Sequence, residues 1–229
     1  MLVANYILYL LGLQKTTPAN AQVIIQLAPA LLAMGGIILF NERYNRRQWL
    51  GFLTLLIGLI LFFNDQLAQI AANIDNYQAG ILMIVASALV WAVYALTQKQ
   101  LLNDISSLSV MTFIYIFASL ILFPVSKPES LMLLTTWQWW VVIFCSVNTL
   151  VAYSAFAEAL DHWEASRVSA VLALTPLGTI ATAALLHHYW PNIIAAENID
   201  ITGWLGTALV ICGSIVTAIS GSNKPRKII

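Results

Sequence analysis

The feature that most constrains this chain is a series of long apolar runs separated by short polar connections. A helix needs about 20 apolar residues to cross the roughly 30 Å hydrocarbon core of a bilayer, and seven of the runs come near that length. Only 9% of the residues are charged, against about 25% in a soluble domain, so the chain cannot cover a water-facing surface. The sequence therefore predicts an all-α, polytopic transmembrane helix bundle. The runs are 1–13, 21–40, 48–63, 79–98, 107–125, 138–160, 168–187 and 202–220.

The composition also argues against several classes of protein. A net charge of zero provides no bulk electrostatic attraction for nucleic acid. The two cysteines, Cys145 and Cys212, lie singly inside apolar runs, which predicts packing residues rather than a disulfide framework or a metal site. No pair of runs offers His, Asp or Glu at mid-membrane depth, and no glycine-rich phosphate loop is present. We therefore expect no catalytic residues, no cofactor, no metal and no ATP-driven pump.

The basic residues predict how the chain is oriented in the bilayer. Lys and Arg accumulate in cytoplasmic connections. If the 41–47 connection is cytoplasmic, strict alternation of the runs puts eight of the ten basic residues on that side, together with the C-terminus. The eight are Arg43, Arg46, Arg47, Lys99, Arg167, Lys224, Arg226 and Lys227, and the other two are Lys15 and Lys127.

A weak internal repeat relates the two ends of the chain. Shifted by 147 positions, NYILYLLGLQKTTPANAQVIIQLAP lies over AYSAFAEALDHWEASRVSAVLALTP without a gap, and Pro29 meets Pro176. After eight further residues in the second copy, WLGFLTLLIG lies over WLGTALVICG. The two copies are expected to cross the membrane in opposite directions. Many secondary transporters are built from such an inverted repeat, with the solute site near the midplane between the halves.

The repeat also predicts the domain boundaries. The first copy occupies 1–66 and the second 77–221, and a cytoplasmic tail follows at 222–229. Two spans of the second copy have no counterpart in the first, and run 1–13 would be only about 20 Å long as a helix. We therefore expect an inverted five-helix repeat whose first unit is incomplete, with about seven full spans and a partial one out of ten.

Three stretches carry a resemblance to a known family. FNERYNRRQWLGFLTLLIGLIL contains an acidic residue, Glu42, followed by two glycines seven residues apart, Gly51 and Gly58. ALVWAVYALTQKQL has a Trp-Ala pair, then an aromatic and a basic residue, and AFAEALDHWEASRVSAVLALTPL is the third stretch. In these motifs and their order the chain resembles, over essentially its whole length, the EamA-like branch of the drug/metabolite transporter superfamily. The resemblance implies ten spans in two five-helix halves and movement of small organic solutes, often export.

The run at 21–40 carries unusual polar groups for membrane depth. Gln22, Gln26 and Pro29 fall at i, i+4 and i+7, on one face of a helix. Proline frees the carbonyl four residues back, and such backbone is tolerated in a membrane only where protein or a wet cavity satisfies it. We interpret this face as the wall of a solute path, with a helix–helix contact and a packing kink as the alternative. Gly35 and Gly36, just beyond, predict close approach of another helix.

Further polar and aromatic residues at depth extend the candidate path. Trp91, Tyr94 and Gln98 form a stripe suited to stacking or cation–π contact with an organic solute, although such stripes also pack in protein cores. Glu158 is the only acid within a run, near its predicted cytoplasmic end. It is either a coupling or gating carboxylate or a group that reaches the interface. The remaining candidates are Tyr115, Asn148, Tyr153, Thr175 and Pro176.

Three functions remain open from the sequence. The first is a secondary transporter of small organic metabolites, with amino acids or related compounds as candidates and export as the expected direction, working by alternating access in the inner membrane. The second is a truncated, non-transporting membrane protein, or a half-unit that needs a partner chain; a homodimer is left open. The third is an integral membrane enzyme. The expected partners are the lipid bilayer and a small-molecule solute.

Overall fold

The computed structural model describes residues 1–42, 44–126, 128–189 and 200–220, and every regular element in those ranges is helical. This confirms the predicted all-α fold. The predicted tail at 222–229 lies outside the described residues. In chain order the elements are α1 Leu2–Leu13, α2 Pro18–Ile25, α3 Leu27–Leu39, α4 Arg46–Phe62, α5 Asn64–Ala72, α6 Ile74–Leu101, α7 Ser107–Leu122, short 3₁₀ turns at Phe123–Val125 and Pro128–Leu133, α8 Thr136–His162, α9 Ala165–Leu172, α10 Thr175–Tyr189 and α11 Ile201–Ile219.

Several of these helices have the length and apolarity of membrane spans. Within the described residues four stretches qualify, and a fifth does if α4 and α5, which meet at a bend of 61°, are taken as one span. Helices α4 and α7 have only 17 and 16 residues, so they reach about 24–26 Å rather than 30 Å. The four stretches are Asn20–Leu39, Tyr77–Leu101, Thr136–His162 and Ile201–Ile219.

The outer surface of the bundle is apolar. Leu50, Phe144 and Trp204 are 65%, 71% and 62% exposed. Soluble monomers rarely expose contiguous apolar patches larger than a few hundred Å², whereas lipid acyl chains accept such a surface. An outer surface of this kind is the surface that a membrane protein presents to lipid.

Helices α4 and α11 pack in backbone contact through four glycines. A Cβ placed on Gly51 would lie 2.9 Å from the Gly213 carbonyl oxygen, and one placed on Gly213 would lie 2.6 Å from the Gly51 carbonyl oxygen. Gly58 and Gly206 are reciprocal in the same way, at 2.9 and 2.7 Å. Only a residue without a side chain allows backbones to approach this closely. Because higher numbers on α4 meet lower numbers on α11, the two helices are antiparallel.

This contact has the pseudo-two-fold symmetry expected of the repeat. WLGFLTLLIG and WLGTALVICG are 155 positions apart (147 + 8), so Gly51 corresponds to Gly206 and Gly58 to Gly213. The first glycine of each copy packs on the second glycine of the other copy, which is the pattern of a self-complementary two-fold interface. The two copies of the repeat therefore meet in opposite orientation.

Both copies also contain a broken span at the same position. Helix α2 ends at Ile25 and α9 ends at Leu172 (25 + 147), and the next helix begins after one residue in the first copy and after two in the second. Pro29 and Pro176 lie in the first turn of that next helix, where a missing backbone N–H breaks no hydrogen bond within the helix. Each half thus carries an irregular turn at an equivalent place.

Helix α3 runs antiparallel to α9. Near the breaks, Ser169 Oγ donates to the Pro29 carbonyl at 2.5 Å. Beyond the end of α3, the carboxylate of Glu42 accepts from the backbone N–H groups of Ala165 and Ser166 at the start of α9. Rising numbers along α3 therefore meet falling numbers along α9, as an inverted repeat requires of its proline-bearing spans.

Candidate solute cavity

A cavity of about 290 Å³ lies where the two broken spans meet α1, α6 and α8. Its volume is at the lower end of small-molecule sites, which are about 300–1,000 Å³. Six of the predicted path residues share its wall: Gln22, Gln26, Pro29, Trp91, Tyr153 and Thr175. The other lining residues are Asn5, Tyr6, Tyr9, Ile25, Ala28 and Leu172.

The break after α2 leaves hydrogen-bond acceptors unpaired on two residues of this wall, Ile25 and Gln26. The N–H of Gln26 donates to the Val23 carbonyl at 3.1 Å, one residue short of the helical pattern, and Pro29 has no N–H to offer the Ile25 carbonyl. The side-chain oxygen of Gln26 is buried and has no hydrogen-bond partner among the described residues. Leaving such an oxygen unpaired costs about 1–3 kcal/mol, unless water or a bound solute donates to it.

Aromatic rings form another part of the wall. The ring centroids of Tyr6 and Tyr153 are 6.1 Å apart, and Trp91 packs on Phe156 at 5.2 Å. Ring faces attract cations and stack on planar groups. None of the lining side chains is charged at neutral pH. The cavity therefore suits an uncharged solute, a zwitterion or an amine better than an anion, since it has no cationic group to pair with a negative charge.

Helix α1 contributes three lining residues that the sequence analysis missed: Asn5, Tyr6 and Tyr9. Asn5 is buried, and its Nδ2 donates to the Ser87 carbonyl at 2.9 Å and to Ser87 Oγ at 2.7 Å. Ser87 Oγ in turn donates to the Asn5 carbonyl at 3.1 Å, so the pair fixes α1 against α6. Run 1–13 is too short to count as a full span, but the i, i+1, i+4 spacing of its polar and aromatic residues was a signal for a common face.

Tyr94 and Gln98 lie away from this cavity. Both are buried and line a second cavity of about 220 Å³ further along α6. Gln98 Nε2 donates to Met111 Sδ at 3.2 Å, and Tyr94 belongs to a core cluster with Leu32 and Leu160. These two residues of the predicted stripe therefore contribute to packing between α6 and its neighbours.

Three other candidates also lie outside the cavity. The Tyr115 hydroxyl donates to the Leu150 carbonyl at 3.1 Å and so links α7 to α8. Asn148 is exposed on α8, and Pro176 is buried within α10. None of these three residues lines the cavity. Thr175, the neighbour of Pro176, does line it.

Glu158, the candidate coupling carboxylate, is at the surface near the end of α8. Ser107 Oγ donates to its carboxylate, and His162 Nδ1 lies 3.4 Å from the other carboxylate oxygen. Glu158 is not among the lining residues of the 290 Å³ cavity. Its described contacts join α7 and α8 instead.

A second acid, Glu42, is buried at the end of α3. Its side chain is 7% exposed, and its two oxygens accept from the N–H groups of Ala165 at 2.7 Å and Ser166 at 3.1 Å. Helix N-termini bind carboxylates in this way because their first N–H groups are free and the helix dipole is positive there. Lys99 Nζ lies 3.9 Å from the carboxylate and donates to the Trp163 carbonyl at 2.6 Å. Glu42 and Lys99 therefore join the ends of α3, α6 and α8 to the start of α9.

The chain matches known proteins over nearly its whole length. The model of the EamA-like transporter family matches residues 1–64 and 78–219. The chain is 37% identical over 218 residues to the uncharacterized inner membrane transporter YhbE of Escherichia coli (strain K12), a match that covers 95% of this chain and 68% of that protein. It is 32% identical over 226 residues to an uncharacterized transporter of Haemophilus influenzae, covering 99% of this chain and 74% of that protein.

A solved crystal structure shares the fold. It superposes on this chain with a TM-score of 0.71 at 18% sequence identity, and the match covers 97% of this chain and 74% of the other. At that identity the likeness concerns the arrangement of helices alone. It supports the helix bundle described above.

Proposed function

The chain belongs to the EamA-like transporter family, and on that premise we propose that it is a secondary transporter that moves small organic solutes across the inner membrane by alternating access. The names of its relatives favour a transporter over an integral membrane enzyme, and the name of the Escherichia coli relative favours the inner membrane.

One observation carries the proposal: the two broken spans meet at a cavity whose wall includes Gln26, a residue with a buried and unpaired carboxamide oxygen. Gln26 and Pro29 from the first copy and Leu172 and Thr175 from the second share its wall. Secondary transporters place their solute sites near the bilayer midplane at such breaks between inverted repeats. Of the seven buried side-chain nitrogen and oxygen atoms without a partner among the described residues, the Gln26 oxygen is the one that belongs to a residue of this cavity wall.

The inverted repeat supplies a physical basis for alternating access. Helices α4 and α11 pack through the reciprocal glycine pairs with local two-fold symmetry, and we propose that this symmetry extends to the two halves. Two similar units related in this way can pack in two nearly equivalent arrangements, which open the cavity to opposite sides. The Glu42 contact with α9 ties the end of the first proline-bearing span to the second copy.

We infer from the same contact that the cytoplasmic side is closed. If the 41–47 connection is cytoplasmic, Glu42 lies on the cytoplasmic side of Pro29. The chain turns back after α3, so that the Glu42 N–H donates to the Gly36 carbonyl at 3.3 Å, and Glu42 is therefore about 10 Å from Pro29 along the helix (seven residues at about 1.5 Å each). In this proposal the antiparallel packing of α3 on α9 closes the cavity toward the cytoplasm. The orientation itself rests on the distribution of basic residues, of which Arg43, Lys127, Lys224, Arg226 and Lys227 lie outside the described residues.

The expected solute is small, contains hydrogen-bond donors and has no net negative charge. The volume of about 290 Å³ limits its size, and the acceptors and aromatic rings of the wall complement N–H or O–H groups and apolar or planar surfaces. Neutral amino acids and related metabolites meet these conditions, and export remains the direction we propose.

The proposal is tested with the full chain reconstituted into liposomes. Counterflow of tritium-labelled neutral amino acids, nucleosides and simple amines is measured against protein-free liposomes. At least one labelled solute is expected to accumulate. Gln26→Leu is expected to lower its initial rate about tenfold, because one hydrogen bond to the solute is lost, while the thermal unfolding temperature changes little.

Gln69→Leu is the matched control. Gln69 is exposed on α5, away from the cavity, so the same substitution there is expected to preserve the rate. Accumulation of no labelled solute by folded protein would count against transport of these classes. Equal losses in both variants would show that the Gln26 effect does not come from the cavity.

A further inference from the structure

The two breaks differ in how their free carbonyl groups are paired. In the second copy, Pro176 has no N–H for the Leu172 carbonyl, which accepts instead from Thr175 Oγ1 at 2.6 Å. Ser214 Oγ donates to the nearby Ala170 carbonyl at 2.8 Å. Two carbonyl groups at the second break are therefore paired with hydroxyl groups, one from Thr175 at the break and one from Ser214 on α11.

The first break lacks these hydroxyl groups. At the offset of 147 residues Ile25 corresponds to Leu172 and Ala28 to Thr175, and at the offset of 155 residues Leu59 corresponds to Ser214. The side chains of Ala28 and Leu59 have no hydrogen-bond donor, and Pro29 has no N–H for the Ile25 carbonyl. The Ile25 carbonyl thus has neither the helical donor nor the hydroxyl donor that its counterpart uses, and Ile25 lines the cavity.

The next residue adds a second acceptor. The buried side-chain oxygen of Gln26 has no partner among the described residues, and Gln26 also lines the cavity. Rings of Tyr6, Trp91 and Tyr153 complete the surroundings, without any Lys, Arg or His among the lining residues. Backbone and carboxamide oxygens beside ring faces match one chemical group well, because an ammonium has three donors, no acceptor and a charge that ring faces attract.

We propose that the Ile25 carbonyl and the Gln26 side-chain oxygen bind the ammonium group of the transported solute. This inference rests on the proposed function and assigns polar recognition to the first repeat alone. Unwound backbone carbonyls of broken spans bind cations in other transporter folds. The two copies differ at the turn formed by Ile25 and Gln26, so the solute binds in one orientation. The second break contributes only lining residues, Leu172 and Thr175.

The test uses two probes of nearly equal size on the purified full chain: 2-phenylethylamine, which is protonated at neutral pH, and 2-phenylethanol, which is not. Binding is measured by isothermal titration calorimetry. The wild-type protein is expected to bind the amine at least about tenfold more tightly than the alcohol, since hydrogen bonds to charged groups are the stronger ones. Ala28→Thr places a hydroxyl at the position of Thr175 in the other copy, where it donates to the Ile25 carbonyl. This variant is expected to lose most of the preference.

Ala28→Val is the steric control because Val and Thr have almost the same shape. Crowding by the larger side chain should weaken the binding of both probes alike, so it cancels in the ratio of amine to alcohol affinity. This ratio should therefore fall in Ala28→Thr, which has the hydroxyl, and persist in Ala28→Val, which lacks it. Ala28→Ser provides the hydroxyl with less bulk if the threonine variant does not fold. Gln26→Glu should raise the ratio, because a carboxylate attracts the ammonium more strongly than a carboxamide does.

Three results would overturn the ammonium site. These are equal affinity of the wild-type protein for both probes, equal ratios in Ala28→Thr and Ala28→Val, and no binding of either probe. The counterflow assay above decides separately whether the protein transports, so a failed ammonium site and a failed transport function give different results. Stabilisation by sodium chloride but not choline chloride, lost in Ala28→Thr, would assign the two oxygens to sodium instead.

Discussion

The backbones of Gly51 and Gly213 are in direct contact, and each glycine excludes a side chain on the other. A Cβ on Gly51 would lie 2.9 Å from the Gly213 carbonyl oxygen, and the reciprocal distance is 2.6 Å. A Cβ on Gly213 would also lie 2.5 Å from the backbone nitrogen of Leu55. Atoms this close cannot be relieved by rotating a side chain, so α4 and α11 would have to separate. The contact therefore links the glycine spacing of the sequence directly to the packing of the two halves.

Gly213→Ala is expected to destabilise the protein by about 1–3 kcal/mol, the usual effect of forcing an extra methyl group into a packed contact. Gly51→Ala should have a similar effect because the contact is reciprocal. Thermal unfolding of the detergent-purified protein, followed by circular dichroism, measures the change.

The control for that prediction is Gly178→Ala on α10. A Cβ at Gly178 meets no atom within 4 Å, and alanine favours a helix over glycine by up to about 1 kcal/mol. Gly178→Ala should therefore be neutral or stabilising. A change of the same sign and size at Gly178 and Gly213 would contradict the close-packing explanation.

Much of this architecture could be predicted from the sequence, because it depends on local composition. The apolar runs predict the helices, the matching glycines and prolines predict two copies of a repeat, and the alternation of the runs predicts that the copies have opposite orientation. The reciprocal pairing of Gly51 with Gly213 could not be predicted, because it depends on the crossing point of two helices more than 150 residues apart (213 − 51 = 162).

The candidate site could likewise be predicted only in part. Helical spacing predicts which residues share a face, but not how far along the face a cavity extends. Trp91 and Gln98 are seven residues apart, or about 10 Å along α6, and only Trp91 reaches the 290 Å³ cavity. Asn5 was missed because its partner, Ser87, is 82 residues away in the sequence. The assignment of the cavity to solute binding stays a prediction.

Asn5 and Ser87 are expected to be energetically coupled. They exchange three hydrogen bonds in a buried contact between α1 and α6. Ser87→Ala should destabilise the protein by about 1 kcal/mol, and a double-mutant cycle with Asn5→Ala should give a coupling energy of about 0.5–3 kcal/mol. Chemical unfolding of the four proteins measures it. Strict additivity would contradict the pairing, and Ser119→Ala on the exposed face of α7 is the control.

Glu42→Gln is expected to loosen the start of α9. The amide keeps one acceptor oxygen but presents its NH₂ group to a backbone N–H, so one of the two bonds to Ala165 and Ser166 is lost. Bonds to charged groups contribute about 1.5–3 kcal/mol. Amide hydrogen exchange, measured by mass spectrometry on peptides covering 163–172, should become faster, while peptides from α11 change little.

Glu129→Gln is the control for the Glu42 variant. Glu129 is exposed in the 3₁₀ turn before α8, so its substitution should leave exchange in α9 unchanged. Unchanged exchange in Glu42→Gln would mean that the carboxylate does not hold the start of α9 in place. Faster exchange throughout the protein would indicate general destabilisation instead.

Glu164, the residue before α9, gives the protein a specific pH dependence. Partial burial raises the pKa of its carboxyl above the ordinary 4.5, and the negative charge of Glu42 raises it further, against smaller opposite effects of Arg167 and Lys99. A raised pKa means that the folded protein binds the proton more tightly than the unfolded chain, so ionising Glu164 disfavours folding. Its contribution is therefore favourable below about pH 4.5 and is lost as the pH rises through the raised pKa. Glu164→Gln should accordingly raise the unfolding temperature slightly at pH 7 and have little effect at pH 4, as thermal unfolding at the two pH values would measure. The effect should be small because the side chain is partly exposed to solvent, and an equal shift at both pH values would contradict the assignment to its ionisation.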